Sequence, residues 1–167
     1  MKIGLLTLVS GIVFSLLAAG EVRAKKEQTL GRIEAVILLP WAIKLPARVD
    51  TGATVSSLDA RELHIQGEIA EFKLPGKHGD TKLRVPIVDW HHVRSPGGIQ
   101  KRPVIEIELC IGSKKIRTRV NLTDRSMVKY PLILGRSILK EGFVVDVRRS
   151  RILPPKCSEN GLSQNPD

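Results

Sequence analysis

Between residues 31 and 147, apolar side chains recur at every second position in short runs and almost nowhere at helical spacing. Alternation of period two sends one face of each run into a core and the other into water, so such a chain folds as strands. The strand candidates are 31–39, 42–49, 56–63, 82–88, 104–111, 116–122, 131–135 and 143–147. In 104–111, Ile105, Ile107 and Leu109 share a face opposite Glu106, Glu108 and Cys110. Gly112-Ser113 turns this run into 116–122, where Ile116, Thr118, Val120 and Leu122 face one way and Arg117, Arg119 and Asn121 the other. Residues 136–140 are the one helix expected, and 143–147 is expected to close the sheet. Apart from 82–88, the stretch 64–103 is the least regular, with Pro75-Gly76-Lys77-His78-Gly79-Asp80 and Ser95-Pro96-Gly97-Gly98 as its flexible points. Either is a binding loop or an ordinary solvated connection.

The N-terminus reads differently. Lys2 precedes an uncharged stretch over 3–20, and Val22-Arg23-Ala24 follows, which is the layout of a signal peptide over 1–24. Ala18-Ala19-Gly20 offers an earlier cleavage point, and a retained anchor is the alternative, since about 20 apolar residues span a bilayer. Export places the chain in the periplasm or outside the cell, with no stable membrane insertion after cleavage. The remaining 143 residues suit one domain over 25–153 with a tail over 154–167.

The full chain carries a net charge of +10, and +9 without its first 24 residues. That excess favours acidic partners by steering. Nucleic acid is not the expected one, because the basic residues are scattered and only 4% of residues are aromatic. Cys110 and Cys157 meet an oxidising compartment after export, as a disulfide or as two free thiols.

Asp50-Thr51-Gly52-Ala53 is a tight turn entered from Ile43, Leu45 and Val49, which plant it in the core. Asp50 is the candidate catalytic residue. Thr51 is placed to hydrogen-bond to backbone and stiffen the loop, and Gly52 leaves room for a substrate or a second copy of the loop. Some eighty residues later comes an apolar strand that ends at glycine and enters the short helix, Leu132-Ile133-Leu134-Gly135-Arg136-Ser137-Ile138-Leu139.

In this order the two motifs resemble those of the retropepsin-like aspartic peptidases, where the strand and its Gly-Arg helix pack beneath the catalytic loop. The likeness covers 31–153. It is carried by Ala47-Arg48-Val49-Asp50-Thr51-Gly52-Ala53, Arg102-Pro103-Val104-Ile105-Glu106, Val120-Asn121-Leu122-Thr123-Asp124-Arg125-Ser126-Met127 and Tyr130-Pro131-Leu132-Ile133-Leu134-Gly135-Arg136. These runs are similar to a bacterial branch often labelled ATP-dependent zinc proteases. The resemblance implies an all-β, closed retropepsin-like barrel or sandwich with one lobe per subunit. Leu134, Gly135 and Arg136 would form the motif under the active site, with Arg136 making a structural hydrogen bond or ion pair.

Neither half of that label follows from the residues. The chain has no Gly-rich Lys-Ser/Thr phosphate loop and no His-Glu-x-x-His pair, so neither ATP nor zinc is expected as a cofactor. His64, His78, His91 and His92 have no ligand spacing. Aspartic-peptidase chemistry needs two carboxylates that share one proton across a bound water. Asp59, Asp80, Asp89, Asp124 and Asp146 lack a matching turn, so the second must be Asp50 of a two-fold partner in a homodimer. The expectation is hydrolysis of peptide bonds, with acidic peptides as substrates. The alternative is a catalytically silent module that holds an anionic peptide or envelope polymer in the same groove.

Overall fold

The computed structural model describes residues 27–76, 81–95 and 98–157. The expected signal peptide, His78 and the end of the tail lie outside them. The described residues form strands β1 (Gln28–Gly31), β2 (Ile33–Leu39), β3 (Ile43–Val49), β4 (Ser56–Asp59), β5 (Arg61–Gln66) and β6 (Ile69–Lys73). They continue with β7 (Lys82–Ser95), β8 (Gly98–Ile111), β9 (Lys114–Thr123), β10 (Leu132–Leu134), the helix α1 (Arg136–Leu139) and β11 (Phe143–Asp146).

The described residues are all-β with one short helix, in the retropepsin-like arrangement. Strands β2, β3, β10, β4, β9 and β8 follow one another around a closed barrel, because β8 pairs with β9 along one edge and with β2 along the other. Inward positions of the alternating runs fill it: Val36, Leu45, Leu58, Ile105, Leu122 and Leu132 are all essentially inaccessible to water. Burying each contributes about 2 kcal/mol. The hairpin at Gly112 forms with that residue at φ 56, a left-handed conformation that glycine adopts without cost.

Three expectations need correction. First, β11 does not close the sheet; it pairs in parallel with β1, and β2 meeting β8 leaves no barrel edge for it. Second, 64–103 is mostly strand. The run expected over 56–63 stops at β4, and β5, β6 and β7 extend as a ribbon from β8 beyond the barrel. Most of β5 is exposed on both faces, so no alternation marks it. Third, Cys110 lies on the predicted face opposite Ile105 yet is fully buried, because the C-terminal segment crosses it.

That crossing is fixed at several points. Cys110 and Cys157 form a disulfide, and the Lys156 amide donates to the Gly112 carbonyl at 2.6 Å. Glu34, an inward residue of β2 only 1% exposed, accepts hydrogen bonds from the amides of Gly31 (2.6 Å), Ile152 (3.2 Å) and Leu153 (3.1 Å). A buried carboxylate with three amide donors is satisfied, so it staples the C-terminal segment to the first two strands.

Candidate active site

Strand β3 buries Leu45, Ala47 and Val49 and exposes Lys44 and Arg48, so its last inward residue anchors the turn that follows. Strand β10 lies between the two strands that this turn connects: Leu132, Ile133 and Leu134 run parallel to Ala47, Arg48 and Val49, while Leu132 and Ile133 oppose Leu58 and Ser57 of β4. The short apolar strand of the sequence therefore threads beneath the loop that carries Asp50. Its Leu134 carbonyl accepts the Asp50 amide at 3.0 Å.

Asp50 is half-buried. Its Oδ1 accepts the amides of Gly52 (3.0 Å) and Ala53 (3.2 Å), and its own carbonyl accepts the Ala53 amide at 3.3 Å. Oδ2 receives no hydrogen bond from any described residue, so the carboxylate is held by one oxygen and presents the other. A Cβ on Gly52 would come within 3.2 Å of Oδ1, crowding the atom that the turn holds.

Arg136 clamps this loop from below. Its Nη1 donates to the carbonyls of Thr51 and Gly52, each at 2.9 Å, and its Nη2 to the Thr54 hydroxyl at 2.8 Å. The Arg136 and Ser137 amides donate to the carbonyls of Ala53 (2.9 Å) and Thr54 (3.1 Å). Gly135 allows the approach, since a Cβ there would lie 2.6 Å from the Val55 carbonyl oxygen. The Gly135 amide donates to the buried Ser56 hydroxyl at 3.0 Å. Thr51 is exposed and engages Arg136 through its carbonyl, so Thr54 and Ser56 supply the hydroxyls that stiffen the loop within one chain. Nothing in the spacing of Thr54 or Ser56 distinguishes them from ordinary turn residues.

A groove of about 640 Å³ opens beside the loop. Gly52, Thr54 and Val55 form one end, while Ile133, Ser57 and Asn121 form the base. The outer half of the β7–β8 hairpin, with Trp90, His92, Arg94 and Arg102, forms the wall. The base is a row across the sheet, since Arg48, Ile133, Ser57 and Asn121 are neighbours in register. Ser57 Oγ donates to Asn121 Oδ1 at 3.0 Å, and Asn121 Nδ2 donates to the Ser56 carbonyl at 3.2 Å, so this polar pair is mutually satisfied. Ser95 and Gly98 pair at the outer end of the hairpin that walls the groove. Among the described residues, no group of three His, Cys, Asp or Glu side chains converges as metal ligands. Among them, too, no helix is long and apolar enough to cross a membrane.

Arg125, in the loop after β9, reaches the same groove. Burial pushes its guanidinium below its ordinary pKa; Asp59 opposes that shift, Arg102 and Arg48 add to it, and Asp50 opposes it. Burial likewise lowers Arg102. Neither residue was singled out for a role in the sequence, because a lone arginine in a polar run carries no pattern.

Comparison with known proteins places this geometry. The solved structure of a Legionella pneumophila protein of unknown function (DUF785) matches with a TM-score of 0.65 and 30% identity, over 78% of this chain and 99% of that one. A probable alpha-L-glutamate ligase of Shewanella halifaxensis is 30% identical over 115 residues, 64% of this chain and 25% of the relative. One of Parasynechococcus marenigrum is 28% identical over 118 residues, 65% and 25% respectively. The chain thus spans about a quarter of the length of the curated relatives it matches. A family model described as RimB-like, retropepsin-like aspartic endopeptidase RimB, matches residues 29–156, and with the barrel and the Arg136-clamped loop already in place the chain belongs to that family.

Proposed function

We propose that the chain is an exported aspartic endopeptidase that cleaves peptide bonds between two copies of Asp50 in a homodimer. The observation that carries this reading is the state of Asp50. Its carboxylate sits on a loop fixed by β10, Gly135 and Arg136, with one oxygen held and the other presented beside a groove. Rigid placement matters because a base must lie within hydrogen-bond reach of the water it deprotonates. A two-fold axis beside the loop brings a second carboxylate to the same water; like charges so close share one proton, which supplies the acid as well as the base. Water then adds to the carbonyl carbon, and the amide nitrogen leaves with a proton.

Acidic peptides are the proposed substrates. The net charge of +10 and the arginines on the groove support this, as does kinship with a segment of proteins named for glutamate chemistry. The alternative, a silent module that holds an anionic polymer, rests on the same groove.

The test is digestion of a diverse peptide library by the mature protein and by an Asp50→Asn variant of equal fold and dimer content. Cleavage abolished by that change and insensitive to chelator supports the aspartic mechanism. Equal cleavage by both removes Asp50 from the chemistry, and binding without cleavage by either favours the silent module.

A further inference from the structure

The C-terminal segment 147–157 belongs to no strand or helix, yet it reaches the loop of Asp50 through backbone alone. The Arg149 carbonyl accepts the Arg32 amide at 2.8 Å, and the Arg32 carbonyl accepts the Val49 amide at 3.0 Å, one residue before Asp50. The Arg151 amide donates to the Ile33 carbonyl at 2.7 Å. No side chain fits between the segment and what it crosses. A Cβ on Gly31 would fall 2.6 Å from the Arg149 carbonyl oxygen, and one on Gly112 would fall 2.8 Å from the Leu153 side chain. The position of the segment therefore sets the position of Arg32, and Arg32 holds the last residue of β3.

Two fixtures hold the segment itself. Glu34 accepts the amides of Ile152 and Leu153, and the disulfide fixes Cys157 to Cys110, with the Lys156 amide bonded to the Gly112 carbonyl just before it. The two sulfurs are not equivalent. Cys110 is fully buried whereas Cys157 is half-buried, so an attacking thiolate reaches the Cys157 sulfur. Cys110 is then the leaving group. The Cys157 amide lies 3.2 Å from the Cys110 sulfur and donates to the negative charge that develops there.

We infer that the Cys110–Cys157 bond is a site of reversible exchange with a dithiol, and that its redox state sets the order of the Asp50 loop through Arg149 and Arg32. The inference goes beyond the peptidase reading and rests on it only for the effect on cleavage. In the first step a thiolate of the dithiol bonds to Cys157 Sγ as the bond to Cys110 Sγ breaks, and Cys110 leaves as thiolate and takes a proton. In the second step the other thiol of the dithiol displaces Cys157 from the mixed disulfide. The dithiol ends as a disulfide, having given two electrons and two protons, and the protein holds two thiols. Residues 154–157 then keep no covalent tie to β8. The ordering of the segment falls to Glu34 and to single backbone hydrogen bonds, and motion at Arg149 passes to Arg32 and Val49. The oxidised chain is braced at Asp50 and the reduced chain is loose there.

The test compares amide NMR spectra of isotope-labelled mature protein, oxidised and after reduction with dithiothreitol, under native conditions. Reduction is expected to shift or broaden the amides of Val49, Asp50 and Gly52 together with those of Arg151 to Lys156. Ala70 and Phe72, buried in the ribbon beyond the barrel, should hold still. Cys157→Ser should give the reduced spectrum without reductant and should not respond to it, and reoxidation should restore the wild type. If that variant fails to fold, the wild type under reductant decides the matter alone. In a parallel digestion assay the reduced protein should lose about tenfold in turnover, because small displacements of a catalytic group cost rate steeply. Changes confined to 151–157, with Val49 and Asp50 unmoved, overturn the inference. So does equal turnover in the oxidised and reduced protein. The spectra are read without substrate, so failure of the brace is distinct from failure of Asp50 as the catalytic group.

Discussion

The guanidinium of Arg136 donates hydrogen bonds to the carbonyls of Thr51 and Gly52, each at 2.9 Å, joining residues more than eighty positions apart in the chain. With the Thr54 hydroxyl it has three acceptors on one loop. The loop that presents Asp50 is therefore held by this side chain as well as by its backbone bonds to β10 and α1.

Replacing Arg136 with Ala should cost about 2 kcal/mol in urea unfolding, since hydrogen bonds to a charged group contribute about 1.5–3 kcal/mol each and solvent exposure discounts them. Arg136→Lys keeps the charge but cannot span three acceptors, so it should recover only part of the stability and little of the peptidase activity. Full activity in Arg136→Lys would show that charge alone orders the loop.

Gly135 has ordinary extended backbone angles, φ −85 and ψ 177, so only space forbids a side chain. A Cβ 2.6 Å from the Val55 carbonyl oxygen pushes against backbone that cannot swing away. Gly135→Ala is expected to destabilise by about 2 kcal/mol, within the usual range for overpacking, and to abolish cleavage. Thermal melting beside the activity assay checks both; a variant with unchanged melting temperature would mean that the loop yields freely.

The disulfide between Cys110 and Cys157 closes a loop across 47 positions of sequence. In the chain-entropy account that constraint stabilises by about 4 kcal/mol. Cys157→Ser should approach that loss in urea unfolding, and added reductant should lower the wild type to the same midpoint while leaving the variant unaffected. Identical midpoints with and without reductant in the wild type would contradict it.

Four surface carboxylates are held below their ordinary pKa: Glu62 by a hydrogen bond from Lys73, Glu71 by Lys82, Asp124 by the Ser126 amide and Asp146 by Arg148. A folded-state pKa below the unfolded one contributes stability that is complete above the unfolded value and disappears as pH falls through the folded value. Urea midpoints should therefore be level through neutral pH and decline on the acid side of the ordinary carboxylate range. The decline should be modest, because these groups are solvated, and smaller in high salt. An increase in stability on acidification would contradict this.

Much of the barrel was legible because its strands are amphipathic. Ile105, Ile107 and Leu109 announce one face, and the short run Leu132-Ile133-Leu134 followed by Gly135-Arg136 announces a buried strand and its helix. The outer hairpin was not legible. His91, His92 and Arg94 in β7 and Gln100, Lys101 and Arg102 in β8 face solvent or the groove, so no apolar alternation marks them as strands. Cys110 shows the other limit: period two gave its face, but a segment 47 positions away covers it. The aspartate and its turn stood out in sequence, whereas Arg102 and Arg125 acquire meaning only when β8 and the loop after β9 are brought to one groove.

Strand β8 runs without interruption from Gly98 at the hairpin tip to Ile111 beside the tail, and the irregular point of the hairpin is the register shift between Ile87 and Asp89 in its partner. There is no glycine between Gly98 and Gly112 to serve as a pivot. The hairpin that walls the groove is therefore a springboard whose clamped end is the barrel. Its flexural stiffness is that of a two-stranded ribbon, and residues far from the tip, on the barrel side of the shift, set how readily it yields.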